Sequence, residues 1–281
     1  MLNNTEFRLG SLVAGTLMLG GFLYWQNNGI TSTEYVYTSK NLPESFKGFK
    51  ITQISDYHNA RRMHNKILAM TKKENPDIIA VTGDLFDRRR TDLIAGFELI
   101  RGLVEIAPVY YVTGNHEAKL EKIEDIKKVI AHLGAEVMEN GKVKINNNGE
   151  SITLMGVDDP WFFTKNKVIE AGRTTFRENL LEFSKDVDGF KVLLSHRPDF
   201  IHTYHDAGID LVLTGHAHGG QFRIPFTNKG IFVPDQGLFP KYATGVKKLG
   251  DTTVVISRGI GNSSFPQRLF NRPEIVNIIF E

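Results

Sequence analysis

Five short apolar runs in this chain end alike, each closing on Ser or Thr and passing at once into carboxylate, amide or imidazole side chains. They are ITQIS before Asp56 and His58, IIAVT before Gly83 and Asp84, VYYVT before Gly114, Asn115 and His116, VLLS before His196, and LVLT before Gly215, His216 and His218. Apolar runs of this length read as strands buried on both faces. Helical-period segments at 63–73, 92–103, 119–133 and 171–183 separate them, and this alternation predicts an α/β fold with parallel pairing through the first half. In such a sheet the carboxyl ends of the strands share one edge, where ligands bind, so the five polar groups are expected to converge. Five of the nine histidines lie at these ends, too many for chance placement, whereas His64, His132, His202 and His205 read as surface or core residues. The segments 252–257 and 274–280 are β-rich with no crossover helix between them, which predicts a second sheet.

Composition narrows the chemistry. A 281-residue chain with 41% hydrophobic content supports one large core, and no repeat or linker divides it after about residue 45, so 46–281 is expected to be one domain. Lys and Arg total 34 against 32 for Asp and Glu, and a net charge of +2 excludes a dedicated nucleic-acid binder. Nothing in the sequence signals a protein partner. The absence of cysteine removes thiolate metal sites and thiol catalysis. Any metal would be held by nitrogen and oxygen, a donor set that suits Mn²⁺, Fe or Zn²⁺.

Residues 9–25 carry no charge over about 17 positions, which reads as an N-terminal transmembrane helix. The stretch ends in Phe22, Leu23, Tyr24 and Trp25, rings suited to a membrane interface and unlike a signal-peptidase site. The expected organisation is an anchor over 1–26 and a polar stalk over 27–45. Arg8 precedes the segment and no basic residue follows it until Lys40. That asymmetry predicts a single-pass cell-membrane protein with its domain on the extracytoplasmic side.

The motifs also carry a family resemblance. DYH at 56–58, GDLFD at 83–87, GNHE at 114–117, the lone His196 and GHAH at 215–218 resemble, in order, the five motifs of the calcineurin-like metallophosphoesterase superfamily. GVDDPWF from Gly156, SHRPDF from Ser195, GGQFRIPF from Gly219, and the C-terminal SRGIGNS and NRPEI resemble its bacterial membrane-anchored or exported phosphodiesterase branch. The resemblance implies a four-layer α/β/β/α sandwich, two mixed sheets flanked by helices, with two divalent metal ions at the strand ends. Asp56, His58 and His218 would hold one ion, Asn115, His196 and His216 the other, and Asp84 would bridge them. A carboxylate can span ions about 3.5–4 Å apart, and a hydroxide between them would attack phosphorus in line. His116 would protonate the leaving oxygen, and Asp87 and Glu117 would orient neighbouring histidines or cations; many family members have Asp where Glu117 stands.

The expected activity is hydrolysis of phosphodiester bonds, including lipid-linked or pyrophosphate esters. A phosphomonoesterase or protein phosphatase on the same centre, and a non-catalytic metal-binding envelope module, are the alternatives. Arg88, Arg89 and Arg90 read either as anion-steering groups or as a solvated charge run. The aromatic stretch 221–242, with Trp161, Phe162 and Phe163, reads either as an apolar rim meeting lipid or as core of a second sheet.

Overall fold

A computed structural model describes residues 4–164, 169–227, 229–262 and 265–281. It begins with α1 (Asn4–Asn28) and β1 (Thr31–Tyr37). There follow β2 (Lys50–Ile54), α2 (His64–Glu74), β3 (Ile78–Thr82), α3 (Leu93–Val104), β4 (Val109–Val112), α4 (Ile123–His132) and β5 (Glu136–Val137). The second half contains β6 (Gly141–Asn147), β7 (Glu150–Gly156), α5 (Ile169–Ser184), β8 (Lys191–Leu194), α6 (Ile201–Asp206) and β9 (Leu211–Thr214). The short β10 (Phe232–Val233) and β11 (Gly237–Leu238) pair with each other, before β12 (Gly245–Leu249), β13 (Thr252–Ile256) and β14 (Glu274–Phe280).

Two six-stranded sheets result, ordered β1-β14-β2-β3-β4-β5 and β12-β13-β9-β8-β7-β6. Both are mixed: β2, β3 and β4 run parallel beside an antiparallel β14, and β7, β8, β9 and β13 run parallel between antiparallel β6 and β12. Period-two burial explains the layering. Ile78 and Ala80 of β3 join Val192, Leu194, Leu211 and Leu213 in a core between the sheets, while Ile79 and Val81 face the other way with Leu99 and Leu103 of α3. Leu193 and Val212 point outward from the second sheet onto Phe176 and Leu180 of α5. Strands apolar on every residue are therefore needed, because both faces are covered. The buried Gln53 links the sheets near the strand ends, donating to Thr82 Oγ1 and to the Thr214 carbonyl, each at 2.9 Å.

Three expectations change. The segment 274–280 does not belong to the second sheet: β14 inserts between β1 and β2 of the first. Residues 27–45 are not a stalk, since β1 pairs in parallel with β14 from Thr31–Glu274 to Tyr37–Phe280, and Tyr37, Leu42 and Phe46 are buried. The alternating pattern of β1, with Glu34 and Val36 outward, was masked by its polar content.

The transmembrane reading is corrected as well. The apolar segment does form a helix, but no helix among the described residues is long and apolar enough to cross a membrane. Gly10, Ser11, Gly15, Thr16, Gly20 and Gly21 dilute its hydropathy and the polar Gln26, Asn27 and Asn28 close it, so it holds fewer than the roughly 20 apolar residues a span needs. Its last turns dock on the domain instead. Asn27 donates to the Pro266 carbonyl at 2.8 Å and accepts from the Arg268 amide at 2.7 Å, and the Arg272 guanidinium lies 4.3 Å from the Trp25 ring centroid.

Candidate metal centre

Every ligand-type side chain named above stands within a few residues of a strand end, where the chain must turn sharply away from the sheet. Asp56, His58, Asp84, His216 and His218 all hold left-handed backbone conformations, with φ between 45° and 66°. For non-glycine residues each such conformation costs on the order of 1 kcal/mol, so the surroundings must enforce it. Hydrogen bonds between the loops do so. The Asp56 amide donates to the Gly83 carbonyl and the His58 amide to the Asp84 carbonyl, each at 3.0 Å. The Asp56 carboxylate accepts from Ser55 Oγ at 2.6 Å and from the His216 amide at 3.1 Å, and Asp84 Oδ1 accepts from the His116 amide at 2.9 Å. Gly83, at φ 86°, has no room for a side chain, since a Cβ there would lie 2.6 Å from His196 Nδ1.

These loops bring together three overlapping groups of donor atoms, each group within 4.8 Å: Asp56, His58 and His218; His58, Asp84 and His116; and Asp56, Asp84 and His196. His58 Nε2 and His218 Nε2 are only 3.1 Å apart, and His218 Nε2 lies 3.2 Å from Asp56 Oδ1. Asp84 Oδ2 is 3.4 Å from both His58 Nε2 and His196 Nε2, and Asn115 Oδ1 is 3.2 Å from His196 Nε2. Buried imidazole nitrogens facing one another across carboxylate oxygens could hold cations, and the all-nitrogen and oxygen donor set fits hard or borderline divalent ions.

Unlike the expected ligands His58, His196 and His218, His216 joins none of these groups among the described residues. Its ring lies 5.0 Å from that of His196, while its Nε2 lies 2.7 Å from Asp235 and 3.3 Å from the Arg197 guanidinium. An Nε2–H given to Asp235 leaves Nδ1 as the free lone pair. Arg197, buried, also donates from Nε to Asp159 at 2.8 Å. Arg197, Asp159 and Asp235 escaped the sequence reading because only the fold brings them to His216; SHRPDF and GVDDPWF marked the first two without showing what they touch.

Glu117 is buried and does not orient a histidine. Its carboxylate accepts the backbone amides of Asp84, Gly114 and Phe86, each at 2.9 Å, and so fixes the turns that carry Asp84 and Asn115. Burial and the nearby Asp84 charge push its carboxyl up to about 8 against the pull of those amides. Asp87 stands 3.4 Å from His116 Nδ1, which also receives the Arg88 amide at 3.2 Å. A neutral His116 ring that accepts at Nδ1 carries its proton on Nε2, and burial holds the ring below the ordinary imidazole range. Arg89 and Arg90 pair with Asp87, and Arg88 lines the cavity beside the donor groups. Phe226, Phe232, Leu238 and Phe239 are exposed, whereas Val233 between them is buried, so the stretch is mostly surface with one core anchor.

Burial alone would keep His196 neutral, but the Asp84 carboxylate, with help from Asp56, outweighs it and pushes the imidazole up to about 10. Burial depresses His58 to about 3 against the pull of the Asp84 carboxylate. The metal-free site therefore holds a proton on His196 at neutral pH. A cation held by His196 would need that lone pair, so its binding would expel the proton and its affinity would rise with pH up to about 10. Titrating Mn²⁺ into the chain in weak buffer at pH 7 is expected to release about one proton per chain from this group. Affinity that stays constant between pH 6 and pH 9 would contradict the assignment.

Comparison with known proteins supplies the context. The family model for calcineurin-like phosphoesterase matches residues 49–220. The chain is 30% identical over 278 residues to the uncharacterized metallophosphoesterase YkuE of Bacillus subtilis, covering 95% of this chain and 92% of that protein. It is 29% identical over 239 residues to YkoQ of the same organism, covering 82% of each. It is 28% identical over 235 residues to the phosphodiesterase YaeI of Escherichia coli, covering 81% of this chain and 80% of that one.

Proposed function

The chain belongs to the calcineurin-like phosphoesterase family, and we propose that it hydrolyses phosphodiesters at a centre for two divalent cations. The observation that carries this reading is that the three donor groups overlap, sharing Asp56, His58 and Asp84, as adjacent ions with a common carboxylate would require. Asp56, His58 and His218 would hold one ion, Asn115, His196 and His216 the other, with Asp84 between them. Mn²⁺, Fe or Zn²⁺ all suit these donors. When bound, the ions would lower the pKa of water and neutralise charge on the phosphoryl oxygens. His116, neutral with its proton on Nε2, gives a hydrogen bond to the leaving oxygen, and the Arg88 amide holds its ring in that orientation. Glu117 keeps the turns of Asp84 and Asn115 fixed, and Asp235, itself paired with Arg197, fixes the His216 ring.

The name of the relative YaeI supports a diester substrate. The test uses the full chain, stripped with a chelator and reloaded with Mn²⁺, on bis(p-nitrophenyl) phosphate and p-nitrophenyl phosphate. Turnover is expected only in the reloaded protein and faster for the diester. Faster monoester turnover would assign a phosphomonoesterase, and metal uptake without turnover of either ester would assign a non-catalytic metal-binding module.

A further inference from the structure

The ion that Asn115, His196 and His216 would hold draws its donors from both sheets, since Asn115 follows β4 of the first and His196 follows β8 of the second. The His196 ring is fixed against the first sheet, donating from Nδ1 to the Thr82 carbonyl at 2.9 Å. Asn115 has no such restraint. Among the described residues its side chain has no hydrogen-bond partner besides His196 Nε2, at 3.2 Å, so its place is set by the turn that carries it. Glu117 gives that turn its shape, but the amides it accepts, those of Asp84, Phe86 and Gly114, all belong to loops of the first sheet. A different group must set the turn against the second sheet.

Asp158 is that group. It is buried just past the end of β7, and its Oδ1 accepts the Thr113 hydroxyl at 2.6 Å, two residues ahead of Asn115. The Lys127 ammonium of α4, 3.8 Å from Oδ2, supplies a counter-charge, and the Asp158 amide donates to Asn140 Oδ1 at 3.3 Å. Just before it the sheets are in contact: a Cβ on Gly156 would lie 2.8 Å from Val112 Cγ1, so no side chain can stand between them. The next residue, Asp159, accepts from Arg197 Nε at 2.8 Å, one position after His196. Two successive carboxylates thus tie the turn of Asn115 to the turn of His196. Apart from the Asn115–His196 contact itself, the Thr113–Asp158 bond is the only hydrogen bond among the described residues that joins 113–116 to the second sheet.

We propose that Asp158 is a positioning residue. Through Thr113 it places Asn115 at the distance from His196 that the ion between them requires, and it leaves the ion of Asp56, His58 and His218 untouched. The inference rests on the two-cation reading above. Calorimetric titration of Mn²⁺ into the metal-free full chain tests it, and wild type is expected to show two sites. Thr113→Val keeps the shape of the side chain and removes the hydroxyl. It should weaken one site about tenfold, the low end of what an outer partner of a ligand contributes, and leave the other within twofold; Thr113→Ser should restore both. Asp158→Leu removes the acceptor instead, while Lys127 keeps Glu124 and Glu139, and should repeat the Thr113→Val result even if that variant does not fold. Asn115→Ala should weaken the same site, and adding Thr113→Val to it should change affinity less than twofold, because the bond then has no ligand to place. Wild type with two sites, and variants that weaken neither site, weaken both alike or combine additively, would overturn the role of Asp158 and leave the two-cation reading standing. Fewer than two sites in wild type overturns both.

Discussion

Asp84→Asn is expected to reduce diester turnover by on the order of 10³-fold while the chain stays folded. The two side chains have the same shape, and the substituted amide can still accept the His116 N–H that Asp84 Oδ1 receives at 2.9 Å. What disappears is the charge that lies 3.4 Å from both His58 and His196. An amide has one weak donor oxygen and cannot bridge two cations, so the loss includes one ion and its share of transition-state stabilisation, about 4 kcal/mol. Metal analysis should fall from two ions per chain to one or fewer, with an unchanged circular dichroism spectrum. Wild-type turnover in this variant would remove the dinuclear assignment altogether.

Arg197→Ala is expected to have the largest effect on stability, about 3–5 kcal/mol, or roughly 10 °C in the unfolding midpoint. Arg197 and Asp159 are both buried, and their contact of 2.8 Å is the only ion pair of Asp159 among the described residues. Truncation leaves the Asp159 carboxylate out of water with no cation, and such a group costs more than the pair contributes. The double variant Arg197→Met with Asp159→Leu should therefore lose less than Arg197→Met alone. Thermal denaturation of the metal-free protein isolates the effect from ligand binding. An equal loss in the single and double variants would show that the cost is one of packing.

Much of the centre was legible because its residues are local signals. An apolar run that ends in Thr82 or Thr113 marks a buried strand, and the groups that follow must lie on the edge where parallel strands finish. Nothing local marked Asp235, which lies on a surface segment after β10, far along the chain from the histidine it contacts. Glu117 was found as a carboxylate beside the centre, but its partners are backbone amides, which no sequence pattern records. β14 was recognised as a strand and assigned to the wrong sheet, because an apolar strand does not carry the identity of its neighbours. At the N-terminus, low charge was mistaken for high hydropathy. Glycine and hydroxyl residues are uncharged without favouring lipid.

The place of β14 bears on how the protein is made. Every other strand of the first sheet leaves the ribosome before it, yet among the described residues β1 and β2 have no direct pairing and are joined through it. The stretch just ahead of it donates the Ile260 amide to Ser55 and the Gly261 amide to Asp56, so the loop bearing Asp56 gains these restraints late in synthesis. All seven proposed cation ligands precede β14 in the chain, so they are synthesised before the strand that holds the Asp56 loop in register.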